Sequence, residues 1–150
     1  PWNIGFQSQA EMLPQFHNQV QINHKILDPW GMPTLDIDCA FGPNEDNMDK
    51  DIAIVSLEML EAGGFKNINI VRNMGKPGIG IHEVGTARMG KDPKTSILNG
   101  WNQMHAVKNV FVTDGASLPS QGSPNPSLTF MAITARACDY AVKELKKRNL

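Results

Sequence analysis

The chain shows two different rhythms of apolar and polar residues, each confined to its own segments. Val20-Gln21-Ile22-Asn23 and Thr34-Leu35-Asp36-Ile37-Asp38-Cys39-Ala40-Phe41 alternate apolar with polar, the period of a half-buried strand. Between them, Asp28-Pro29-Trp30-Gly31-Met32-Pro33 is dense in turn formers, so the two runs predict an antiparallel hairpin. Ile52, Val55, Leu57, Met59 and Leu60 switch to a helical period. They predict a helix over about Asp49–Ala62, with Asn44 or Asn47 as its cap and Gly63-Gly64 as its stop.

Asn67-Ile68-Asn69-Ile70-Val71 returns to strand alternation and predicts a third strand. Ile97-Leu98 and Val110–Thr113 read as short extended pieces, and Leu118–Pro126 as loop. From Ser127 to about Leu145 the helical signal is strongest. Leu128, Met131, Ala132, Ala135, Cys138, Ala141, Val142 and Leu145 form one stripe. The leading stretch, residues 1–18, is poorly defined, with Pro1–Gln15 read as loop or short helix. The class this implies is α+β: an antiparallel sheet with helices packed on it, then a C-terminal segment carrying a long helix.

Length and charge narrow the field. The 150 residues suit one ordinary domain. A net charge of -1 argues against a nucleic-acid partner and against an anionic membrane surface. No apolar run reaches the ~20 residues of a membrane-spanning helix. Cys39 and Cys138 are far apart and form no metal-ligand or disulfide framework, and no calcium loop is present, so no metal is expected. The chain reads as soluble. Its compartment is left open between cytoplasmic and, if a leader precedes Pro1, periplasmic or secreted.

Chemistry concentrates in the second half. His82 follows the glycine-rich loop Gly75–Gly80 and precedes Gly85-Thr86, in a tight turn where an imidazole can handle protons near neutral pH. Taken alone, a loop histidine is as well explained as a surface or capping residue, the reading given to His17, His24 and His105. Asn125 and Pro126 suit the cap and first turn of the last helix, leaving the N–H groups of Ser127, Leu128 and Thr129 to face a partial negative charge. A plain capped helix accounts for the same residues. Gly75–Gly80 lacks the endings of a phosphate loop or a dinucleotide fingerprint. Gly115-Ala116-Ser117-Leu118-Pro119 falls short of a nucleophile elbow at Pro119, which leaves a serine hydrolase built on Ser117 as a remote alternative.

Taken in order, His-x-x-Gly-Thr-x-x-Met-Gly at His82–Gly90, Lys-Asn-Val-Phe-Val-Thr-Asp-Gly-Ala at Lys108–Ala116 and Asn-Pro-Ser-Leu-Thr at Asn125–Thr129 resemble the C-terminal signature of the glucose–methanol–choline (GMC) oxidoreductases. The Asp28–Pro33 turn is similar to one found upstream in that family, and the likeness runs from about Gln19 to Leu145. The resemblance implies an FAD-dependent oxidation of CH–OH groups in an alcohol or sugar. It implies His82 as the catalytic base and Asn125 as its hydrogen-bonding partner. Asp114, Gly115 and Ala116 would pack on the flavin nucleotide, and Asn125, Pro126, Ser127, Leu128 and Thr129 would lie near the flavin carbonyl. The electron acceptor would be oxygen, a quinone or a partner protein.

The family's Gly-x-Gly-x-x-Gly fingerprint is absent, so the FAD-binding half is expected to lie in an N-terminal portion outside this sequence. The chain by itself is then expected to be inactive, and the alternative reading is a non-catalytic fragment or binding module on the same scaffold.

Overall fold

The computed structural model of the chain describes residues 3–150. Its regular elements are a two-stranded antiparallel sheet (β1, Gln19–Leu27; β2, Pro33–Asp38) and two helices (α1, Pro43–Ala62; α2, Ser127–Lys146), with a single 3-10 turn at Gly115–Ser117. The α+β class and the long C-terminal helix therefore stand.

The hairpin forms where the alternation placed it. Val20 pairs with Ile37 and Ile22 with Leu35, which puts four apolar side chains on one face. Asp28 builds the connecting loop. Its carboxylate accepts from Trp30 N and Met32 N, each at 2.9 Å, and Gly31 takes the left-handed conformation (φ +81°) that closes the turn. The Asn18 side chain extends the ladder by one rung, accepting from Ala40 N (2.9 Å) and donating to its carbonyl (3.1 Å). His24 sits inside β1 at an irregularity between Asn23 and Leu27.

α1 starts six residues earlier than its apolar period suggests. Pro43 occupies the first turn, and Glu45 three positions past Gly42 accepts from Gly42 N at 2.7 Å. Neither Asn44 nor Asn47 is the cap. The same carboxylate accepts from Leu13 N (3.0 Å) and Gln15 Nε2 (3.2 Å), so it also pins the leading segment, which is neither helix nor strand over residues 3–15. These donors, Leu13 N first, hold the Glu45 carboxyl below its ordinary value against the opposing effect of burial. The end matches the expectation. Gly64 N donates to Glu61 O and Phe65 N to Leu60 O, a Schellman closure with Gly64 at φ +80°.

The third strand does not form: residues 67–71 are irregular. Alternation makes a strand only where a neighbour offers a ladder, and this segment has none among the described residues. Arg72 instead ties it back to α1 through Asp49 at 2.5 Å. Nor do the helices close over the hairpin. Among the described residues, the only extensive packing between regular elements is β1 on β2.

The densest region is built from Val84–Leu118 and one face of α2. Leu98, Asn102 and Ser117 are fully buried there, and Ala137 nearly so. α2 turns Phe130, Ile133, Thr134, Ala137, Tyr140 and Glu144 inward. The apolar stripe legible in the sequence is a different face. Leu128 (78% exposed), Met131 (69%) and Leu145 (63%) stand in solvent, and of that stripe only Ala141 is half-buried. The total accessible surface is 11693 Å², whereas a closed monomer of this mass would expose roughly 7,500 Å².

Candidate active site

The turn before His82 is held by its neighbour. Gly75 and Gly78 take positive φ (71° and 80°), and Ile81 follows at φ +61°, a conformation that costs a β-branched residue about 1–3 kcal/mol. The Glu83 carboxylate offsets that cost by accepting from Gly80 N and, at 3.2 Å, from Ile81 N. His82 is half-buried, and its ring makes no hydrogen bond among the described residues.

Beyond His82 the string to Gly90 runs alongside the Asp-Gly-Ala motif. Gly85 (φ +92°) bends the chain. Ala87 N then donates to Ala116 O and Met89 N to Ser117 O, both at 2.9 Å. Asp114 caps the 3-10 turn by accepting from Ala116 N at 3.0 Å.

Gly115 explains why that motif carries glycine. A β-carbon there would lie 2.8 Å from the Glu83 carbonyl oxygen, 3.0 Å from the Phe130 ring and 3.5 Å from Val84. The His82 segment, the Asp114–Ala116 turn and the first turn of α2 thus meet at one glycine. Thr134 reinforces the junction by donating to Thr113 O at 3.3 Å and to Phe130 O at 2.7 Å.

Asn125 does not cap α2. Its side chain is exposed, and the helix begins after Pro126 with no side-chain cap. Pro126 is buried and its carbonyl accepts from Phe130 N at 2.9 Å. Without a capping oxygen, the N–H groups of Ser127, Leu128 and Thr129 have no acceptor among the described residues. Those three residues are exposed. An open cleft of about 490 Å³ is lined by Thr113, Asp114, Phe130, Met131, Thr134 and Ala135, and by none of those three residues. Free amides at a helix start suit a group that carries partial negative charge. A separate cleft of about 530 Å³ lies around Met89, Lys91, Trp101 and Arg136, and neither cleft is lined by His82 or Asn125.

Ser117 is eliminated as a nucleophile. It is fully buried, and its hydroxyl donates to Asp114 O at 2.8 Å rather than to a base. His105 is a packing residue whose Nε2 lies 3.1 Å from Ser96 Oγ.

Two groups of residues at the site carry no motif in the sequence. Glu83 is one, although an acid three residues past Gly80 in a glycine-rich turn is a signal for backbone capping. The other is the scaffold behind the site. Asn102, fully buried at φ +64°, donates to Val112 O and accepts from Arg136. Trp101 stacks on Tyr140 at 4.9 Å.

Comparisons with known proteins identify the family. A family model described as GMC oxidoreductase matches residues 14–134. The chain is 35% identical over 137 residues to 2-methyl-1,2-propanediol dehydrogenase of Mycolicibacterium austroafricanum, covering 87% of this chain and 24% of that protein. It is 30% identical over 136 residues to paromamine 6'-oxidase of Streptomyces fradiae, covering 91% and 25%. The fructose dehydrogenase large subunit of Gluconobacter japonicus is 26% identical over 145 residues, covering 91% and 25%. The chain spans about a quarter of the length of these curated relatives. With most of its residues inside the family model, and with the His82, Asp114 and Asn125 motifs in order along it, the chain belongs to the GMC oxidoreductase family and represents its C-terminal domain.

Proposed function

We propose that this domain supplies the proton-handling and substrate-facing side of an FAD-dependent oxidoreductase acting on a CH–OH group of an alcohol or sugar. The observation that carries the reading is the junction at Gly115. There the Glu83 carbonyl beside His82, the Asp114–Ala116 turn and Phe130 of α2 come together. These contacts support the reading, because the segment after His82, the Asp114–Ala116 turn and the helix that follows Asn125 lie against one another, as a shared site requires.

When bound, FAD accepts the hydride from the substrate carbon. His82 takes the hydroxyl proton, leaving the carbonyl product, and its free ring is available for that transfer. Asn125, exposed and unbonded, donates to the substrate oxygen and holds it toward His82. The uncapped amides of Ser127–Thr129 would favour negative charge at the flavin carbonyl, and Asp114–Ala116 would border the nucleotide. The relatives include dehydrogenases and oxidases, in keeping with a shared half-reaction and differing electron acceptors.

The test is stopped-flow flavin reduction in the full-length protein. His82→Ala is expected to slow reduction ~10²–10⁴-fold while FAD stays bound. Reduction at the unaltered rate would remove His82 from the chemistry.

A further inference from the structure

We infer that Glu83 is a positioning residue for His82, fixing the imidazole by bonding the turn that precedes it. The inference rests on His82 as the base. Glu83 is held at both ends. Its carboxylate accepts from Gly80 N and Ile81 N, while its own carbonyl rests against Gly115, where no side chain could fit. His82 lies between these anchor points, one residue from each.

The His82 ring has no hydrogen-bond partner of its own among the described residues. Its placement therefore depends on its backbone. That backbone leaves Ile81 in the left-handed region at φ +61°, which a β-branched residue does not hold unaided. Remove the carboxylate and Ile81 is free to relax toward ordinary φ, swinging His82 with it. Glu83 touches neither substrate nor flavin in this role. It acts through the turn, so it should govern rate more than substrate affinity.

The reach of the side chain matters as much as its charge. Glutamine retains a carbonyl oxygen at the same distance. Aspartate keeps the charge but is one methylene shorter and cannot span to Gly80 N.

Hydrogen–deuterium exchange at Gly80 and Ile81 and stopped-flow flavin reduction, both in the full-length FAD-loaded protein, test this together. Glu83→Ala and Glu83→Asp should each raise exchange of those amides by about tenfold or more and slow reduction ~10-fold. FAD content and the substrate KM should stay near wild type. Glu83→Gln should restore both readouts to within about threefold of wild type. Wild-type exchange in Glu83→Asp would overturn the inference, as would slowed reduction without faster exchange or a Glu83→Gln indistinguishable from Glu83→Ala. His82→Ala keeps the two claims separate. If it reduces flavin normally, the base assignment falls while the exchange data still judge the turn. If His82→Ala is slow and Glu83→Asp is wild type in both assays, the positioning role alone falls.

Discussion

Replacing Gly115 by alanine tests whether the three motifs depend on one close approach. The new β-carbon would stand 2.8 Å from the Glu83 carbonyl and 3.0 Å from the Phe130 ring. Ordinary contact begins near 3.4 Å, so the carbonyl has to retreat by about 0.6 Å and the ring by about 0.4 Å. The carbonyl is backbone and cannot step aside by changing rotamer. Overpacking of this kind costs roughly 1–3 kcal/mol, which in a domain of this size lowers the melting temperature by about 2–12 °C. The displaced backbone adjoins His82, and misplacing a reacting group by 1 Å costs about 10²-fold. A shift of half that size should cost ~10-fold in flavin reduction. Thermal denaturation and stopped-flow reduction of the full-length protein read the two effects. Gly100→Ala is the control, since a β-carbon there meets nothing within 4 Å. If Gly115→Ala melts and reacts like Gly100→Ala, the junction does not organise the site.

Two further expectations concern the rest of the chain. Glu45 has its pKa lowered in the fold, so its stabilising effect is full above the unfolded value of ~4.3 and is lost as pH falls through the folded value. The stability gap between wild type and Glu45→Gln should be constant above about pH 5 and shrink in acid, and a gap unchanged in urea titrations down to about pH 3 would contradict the assignment. The exposed stripe of α2 should make the isolated 150-residue chain self-associate, and Met131→Glu with Val142→Glu should reduce that association in sedimentation velocity without loss of helix by circular dichroism. A wild-type chain that stays monomeric at high concentration would count against this.

Local signals were read well where local chemistry decides the outcome. Period-two alternation with Asp28 and Gly31 in the loop specifies a hairpin, and Gly63-Gly64 specifies a helix end. The start of α1 was missed because its apolar period begins late, whereas the cap chemistry of Pro43 and Glu45 begins at Gly42. The supposed strand at Asn67–Val71 failed for a non-local reason: its alternation says which face would be buried, but a ladder needs a neighbour. Asn125 stands before Pro126 at a helix start, where a cap is expected, yet the structure leaves it exposed beside a buried Pro126. At the site, residue types and order identified the motifs. Their meeting at Gly115 depends on backbone approach, which no spacing rule encodes, and the clamp by Glu83 belongs to the same class.

The helix α2 carries two apolar faces, which gives the exposed stripe its meaning. Phe130, Ile133, Ala137 and Tyr140 fill one face and are covered by this chain. Leu128, Met131, Ala135, Cys138, Val142 and Leu145 form another, and all of them are exposed among the described residues. An ordinary surface helix needs one apolar stripe, while a helix apolar around most of its circumference is one that is buried on several sides. The hairpin shows the same one-sidedness. Ile22, Leu35 and Ile37 share a face and are each more than 60% exposed. A two-stranded sheet without a cover is marginal in water. The surplus of roughly 4,000 Å² over a closed monomer is the sum of such faces. It exceeds what a standard protein–protein interface buries on both partners together, about 1,600 Å². A surface of that extent is a core left open, so the positions that look wasteful in the isolated chain are those through which the domain would be stabilised once covered.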